Sequence, residues 1–140
     1  ALTNMTKSGM VFKTGEVSEW MDCGNKPVTV ETNRRVLSIL EEEGRLHNKS
    51  GVDSSAEIID SIIIPPCFIG TGVVVERSVV GPHVSIGGNT KVTDTIISDS
   101  LVQGDTEIKN ANLKGAMIGA KASIHGTVQD LSVGDFCSIG

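Results

Sequence analysis

The chain has 140 residues, a net charge of −5, 39% hydrophobic and 21% charged residues, which is the composition of a globular protein of one ordinary domain or two small ones. With three Phe, one Trp and no Tyr, the core must be aliphatic, and a platform for stacking bases is missing. Arg34-Arg35 is too small a basic cluster for a phosphate backbone, and no apolar run approaches a membrane span, so neither nucleic acid nor membrane is expected as a partner.

The N-terminus lacks the order of a signal peptide. Cys23, Cys67 and Cys137 are odd in number and far apart, with no C-x-x-C. They read as reduced thiols of a cytoplasmic protein.

In chain order, Ala1 to Lys7 reads as the tail of a helix. Residues 10–14 and 17–22 read as two short strands around Gly15. Asn25 or Lys26 then precedes a helix that carries Pro27 in its first turn, where a missing N–H costs nothing. Val36, Leu37 and Leu40 share one side of it, and Gly44 is its stop. Glu41-Glu42-Glu43 opposes the helix dipole, which predicts fraying there. Residues 1–44 are too few to bury a core alone. Residues 45–57 are polar and read as a linker or capping turn.

From residue 58 to 140 one repeat governs the chain. Ile58, Val75, Val92, Ile108 and Ile124 recur every 16 to 17 residues or so. Ile63, Val80, Ile97 and Leu113 keep the same step, as do Ile69, Ile86, Val102, Ile118 and Val133. Three branched aliphatics per repeat, five or six residues apart, describe a triangular coil with one inward residue per side, about five coils in all. Gly70, Gly87, Gln103, Gly119 and Gly134 follow the third set, and glycine there is expected to supply the φ values of a tight corner. Four residues after the third set come Val73, Thr90, Thr106, Ala122 and Cys137, all small or medium, which lets coils stack. In the last coil Val128 must serve as the middle side. Ile139-Gly140 leaves an inward residue at the end, so either a cap is missing or another subunit covers that coil. Ile62, Val79, Ile96 and Leu101 stand beside inward positions and are expected to face outward as a partly apolar ladder.

Ile69-Gly70-Thr71-Gly72-Val73-Val74 and Ile118-Gly119-Ala120-Lys121-Ala122-Ser123 resemble the hexapeptide repeat of left-handed parallel β-helices, and the left hand comes from this resemblance alone. Glu19-Trp20-Met21-Asp22-Cys23-Gly24-Asn25, followed by a helix with Glu31-Thr32-Asn33-Arg34, resembles the end of the catalytic domain of sugar-1-phosphate nucleotidyltransferases. Ile63-Ile64-Pro65-Pro66 and Val80-Gly81-Pro82-His83-Val84 are similar to the β-helix tails of that family. The resemblance implies a mostly β chain, with a left-handed β-helix over 58–140 behind a small α/β remnant at 1–44. It also implies a reaction in which a sugar 1-phosphate attacks a nucleoside triphosphate and pyrophosphate leaves, with Mg²⁺ neutralising the phosphates. By match of motif, Asp22 is one ligand of that ion, a hard oxygen suited to it.

The family's glycine-rich phosphate loop and second metal-binding Asp have no counterpart in the chain. The chain therefore reads as the C-terminal part of such an enzyme, inactive alone, with the β-helix serving assembly or regulation, and the expected partners are copies of itself and the missing catalytic domain.

Two other readings stay open. One is a hexapeptide acyltransferase using acetyl-CoA, with His83 or His125 as general base. Against it, both histidines read as solvated corner residues. The other is a pure oligomerisation module. A three-histidine metal site is disfavoured because His47 lies outside the coils.

Overall fold

A computed structural model describes residues 2–17, 19–46, 48, 50–126 and 131–140, and for Leu2 the backbone only. His47 and Val128 fall outside the described residues. Helix α1 spans Leu2–Lys7 and helix α2 spans Lys26–Glu42. Everything regular after them is short parallel strand, arranged in three sheets of six, four and five strands among the described residues. The chain visits the sheets in rotation, so the architecture is a parallel β-solenoid of about five turns.

All three predicted ladders are realised residue for residue. Ile58 pairs with Val75, and the ladder continues through Val92, Ile108 and Ile124 to Ile139. Ile63, Val80, Ile97 and Leu113 form the second. Ile69, Ile86, Val102, Ile118 and Val133 form the third. Branched side chains suit this setting, because a strand covered above and below packs stiff residues well. The inward residues between Ile69 and Ile124 are essentially inaccessible, each contributing about 1.5–3 kcal/mol by burial. Ile58, in the first coil, remains 36% exposed. The column reaches back into the segment read as a linker: Val52 bridges Ile69 in parallel, and Leu46 is buried.

The corners hold features that periodicity did not show. Ser78 N–H donates to Ser61 Oγ (2.9 Å), Thr95 N–H to Ser78 Oγ (3.0 Å) and Ala111 N–H to Thr95 Oγ1 (3.4 Å). Each hydroxyl accepts the backbone N–H one coil further on, where the strands have already turned away. At another corner Thr90 Oγ1 accepts from Thr106 N–H, while the Thr90 and Thr106 hydroxyls donate to the C=O of Gln103 and Gly119 on the next coil, and Ser100 accepts from Ala116 N–H at the third. Among the described residues no buried side-chain polar atom lacks a partner, as a stable interior requires.

The expected role of the corner glycines is corrected. Gly70, Gly87, Gly119 and Gly134 are not at positive φ. The left-handed position falls two residues later, at Gly72, Asn89, Asp105, Lys121 and Phe136. A Cβ on Gly87 would sit 2.5 Å from Gly104 N, and one on Gly119 2.4 Å from Gly134 C. Those glycines are therefore fixed by the approach of the next coil. At another corner Asp60, Arg77, Asp94 and Asn110 take the left-handed conformation, which short polar side chains tolerate best. Arg77 also grips Asp94 with two hydrogen bonds of 2.7 and 2.9 Å. That guanidinium holds the Asp94 carboxyl below its ordinary range.

Helix α2 begins and ends as its sequence predicts. Asn25 caps it by accepting from Val28 N–H at 3.2 Å. At its end Arg45 N–H donates to Leu40 C=O (2.7 Å) and Gly44 N–H to Glu41 C=O (3.0 Å), with Gly44 at φ +64°. This closure keeps Glu41 and Glu42 helical, and Arg45 pairs with Glu43 at 2.7 Å, so the expected fraying does not occur. The two strands expected at 10–14 and 17–22 are absent among the described residues. Alternating apolar residues make a strand only beside a neighbour that completes the ladder. Val11, Val17 and Trp20 are instead 86%, 71% and 85% exposed. Among the described residues no helix is long and apolar enough to cross a membrane.

Four outcomes are expected. Ile86→Asp or Val102→Asp places a carboxylate in a dry column and abolishes the cooperative far-UV circular dichroism melt, whereas Thr95→Val, which orphans Ala111 N–H, costs about 1–3 kcal/mol. An unchanged melt for the Asp variants contradicts the register. Burial pushes the Cys67 thiol from 9.0 up to about 11. A folded-state pKa raised in this way contributes stability below the unfolded value and loses it as pH rises through the folded one. The wild-type melting temperature should therefore fall between about pH 9 and 11 more steeply than that of Cys67→Ala. Thiol titration of the native chain should find Cys23 and Cys137, both exposed, fast and Cys67, buried, slow.

Candidate functional site

The structure places the predicted residues in two neighbourhoods joined by helix α2. The first is the loop 19–24. Asp22 Oδ1 accepts the N–H of Cys23 at 2.7 Å and of Gly24 at 3.1 Å, a turn closed by its own carboxylate. Two contacts then tie the loop to α2. Thr32 Oγ1 donates to Asp22 C=O at 2.5 Å. Arg35 forms a bidentate pair with Glu19, Nε to Oε1 at 2.7 Å and Nη2 to Oε2 at 3.2 Å. That pairing raises the Arg35 pKa, through the hydrogen bond first and charge second. Thr32 and Arg35 are three residues apart and so share a face of the helix.

An open cleft of about 520 Å³ lies between loop and helix, lined by Glu19, Trp20, Met21, Asp22, Pro27, Val28, Glu31, Thr32 and Arg35. Its lining combines the carboxylates of Glu19, Asp22 and Glu31, one hydroxyl and an already paired guanidinium with the apolar Trp20, Met21, Pro27 and Val28. Among the described residues no three His, Cys, Asp or Glu side chains converge as a metal site. The residues therefore do not fit a self-sufficient magnesium site. Asp22 presents one carboxylate whose Oδ1 already holds the turn.

The second neighbourhood is where α2 rests on the solenoid. Leu37, 3% exposed, is the buried anchor of the helix. Beside it Asn33 uses both ends of its amide: Oδ1 accepts from Ser85 Oγ at 2.6 Å, and Nδ2 donates to His83 C=O at 3.2 Å. His83 stands at φ +57°. Its Nε2 lies 3.3 Å from Ser38 Oγ, and its Nδ1 lies 3.4 Å from Asp99 Oδ1.

The reading of His83 as a solvated corner residue is therefore corrected: its side chain is only 17% exposed, because α2 lies over that corner. Ser38, His83 and Asp99 stand in the order of a nucleophile relay. However, the neighbouring cleft is lined by Val30, Glu31, Arg34, Pro82, His83 and Asp99, without Ser38. The hydroxyl serves the helix–solenoid contact.

His125 is exposed at the opposite end of the column, 3.5 Å from Ser123 Oγ. The two histidines thus have separate partners. Sequence reasoning named Asn33 only within a motif, without a role, and missed Ser38, Ser85 and Asp99. The available signal was Asn33 standing four residues before Leu37, a polar side chain on the apolar stripe of α2.

No family model matches the chain. It is 29% identical over 114 aligned positions to a glucose-1-phosphate thymidylyltransferase of Streptomyces antibioticus, covering 75% of this chain and 32% of that protein. It is 30% identical over 104 positions to a glucose-1-phosphate thymidylyltransferase of Streptomyces griseus, covering 69% of this chain and 28% of that protein. The chain spans about a third of the length of these curated relatives.

Proposed function

We propose, from the premise that the chain is a distant homologue of glucose-1-phosphate thymidylyltransferases within a nucleotidyltransferase-related family, that it is the C-terminal portion of a sugar-1-phosphate nucleotidyltransferase. In the reaction proposed, an oxygen of the sugar phosphate attacks the α-phosphorus of a nucleoside triphosphate and pyrophosphate departs. Catalysis of this kind rests on positioning and charge compensation more than on covalent chemistry by the protein. The observation that carries the reading is the loop 19–24, fixed to α2 by Thr32 and Arg35 with Asp22 at its turn. Asp22 would offer one oxygen to Mg²⁺, with the remaining ligands supplied by a preceding domain and the triphosphate. The exposed Val11, Phe12, Val17 and Trp20 are the surface that such a domain would cover.

The solenoid's part is assembly. Ile62, Val79, Ile96 and Asn112 are in register on the outside of one sheet, with Ile62 60% and Ile96 54% exposed. Leu101, expected in this ladder, lies on another sheet beside Ser85 and Met117. A column of apolar side chains in register suits a second copy of the same face. The acyltransferase reading gains nothing from His83, whose two ring nitrogens face Ser38 and Asp99.

Three experiments test the proposal. The natural gene product should be heavier than 14.7 kDa by about one large α/β domain. In it, Asp22→Ala should lower pyrophosphate release by about 10²-fold or more, the usual scale for an electrostatic catalytic contact. A fully active Asp22→Ala enzyme removes the metal-ligand role. For assembly, sedimentation of the chain should show an oligomer that Ile62→Lys with Ile96→Lys converts to monomer; a monomeric wild type at high concentration contradicts the assembly role.

A further inference from the structure

Helix α2 carries two sets of contacts on different faces. Thr32 and Arg35 hold the loop that bears Asp22. Asn33 and Leu37, four residues apart, hold the solenoid. A helix is stiff along its backbone hydrogen bonds, so a rotation or shift at one face is delivered to the other. Without the solenoid little fixes α2, since an isolated helix of its length is marginal in water.

From this arrangement we infer that Asn33 and Ser85 are positioning residues: their side-chain pair sets the seat of α2 on the solenoid and, through Thr32 and Arg35, the placement of the Asp22 loop. The inference rests on the nucleotidyltransferase reading for its meaning, and on geometry for its existence.

Three features make this contact a determinant and not incidental packing. The Asn33–Ser85 hydrogen bond is short, at 2.6 Å. The same amide also reads the backbone of His83, so a slip of the helix along the strand Val84–Ile86 breaks both bonds at once. The His83 corner is itself pinned within the solenoid, because its N–H donates to Pro66 C=O at 2.7 Å and its Nδ1 lies 3.4 Å from Asp99 Oδ1. The solenoid side is thus rigid, and the helix adapts to it. The consequence for a transferase is that the β-helix supplies part of the precision of the active site. Any partner that displaced the His83 corner would move the Asp22 loop by the same lever.

The test uses the 140-residue chain and variants at the solenoid end of the lever. Trp20 is the sole Trp and lies in the loop, so its fluorescence anisotropy reports loop mobility directly. The Cys23 and Gly24 amides, held by Asp22, report its turn through hydrogen exchange. Ser85→Ala should lower the Trp20 anisotropy and speed exchange of those two amides by about tenfold, the worth of one hydrogen bond. Exchange at Ile86 and Val102 should stay unchanged. Ser85→Thr, which keeps the hydroxyl, should restore both readouts. Asn33→Ala, which also removes the bond to His83 C=O, should loosen the loop at least as much, and Ser85→Ala added to Asn33→Ala should change nothing further, as for two members of one contact.

Wild-type anisotropy and exchange in Ser85→Ala overturn the inference, and so does loosening in Ser85→Ala that Ser85→Thr fails to restore. The transferase reading fails separately. A full-length enzyme that releases no pyrophosphate from nucleoside triphosphates and sugar 1-phosphates sinks that reading while leaving the lever in place. An inactive Asp22→Ala enzyme with an unmoved loop in Ser85→Ala sinks the lever alone.

Discussion

Coil stacking on coil is the constraint from which the rest of the structure follows. One turn of this chain has three inward aliphatics and nothing to bury them against. The next turn covers them, and each added turn covers the one below. The stack requires that successive coils keep one register on all three sides at once. Aliphatic ladders supply the attraction. Corner hydroxyls answer the N–H groups that the strands cannot. Glycine stands where a side chain would strike the next coil, as Gly87 and Gly119 do.

That rigid column gives the N-terminal part of the chain its firm support. Helix α2 is anchored by Leu37 and addressed by Asn33, and the loop 19–24 hangs from its far side. Segments with no such support stay extended and exposed, as residues 10–17 do. The molecule is thus graded in order, from a dry column through a docked helix to an apolar segment without a neighbour. A nucleotidyltransferase reading makes sense of this gradation. The part nearest the proposed chemistry is the part that depends on other surfaces for its geometry.

How much was legible depended on whether a feature is written in spacing or in space. The three ladders were legible to the residue, because stacking forces a repeat and a repeat is visible in one dimension. The start and stop of α2 were legible from Asn25, Pro27 and Gly44, because capping is local. The strands at 10–22 were misread because alternation indicates what a segment prefers beside a partner. His83 was misread because nothing in its neighbours along the chain announces that α2, some 50 residues earlier, covers it. Gly87 and Gly119 were assigned to conformation, whereas the close approach of another coil decides them. The hydroxyls of Ser78, Thr95 and Ser100 were overlooked because small polar residues at corners look like ordinary turn residues until their acceptor role across coils is seen.

The central claim is that the solenoid is the platform on which α2 is held. Residue-resolved hydrogen exchange of the unmodified chain tests it most directly. The account predicts that the interior amides of Lys26–Glu42 exchange nearly as slowly as those of the strand Val84–Ile86 beneath them, while amides in residues 10–17 exchange at unprotected rates. A protected column carrying a helix that exchanges freely would contradict it, because α2 would then be held by nothing and the loop with Asp22 would have no fixed place.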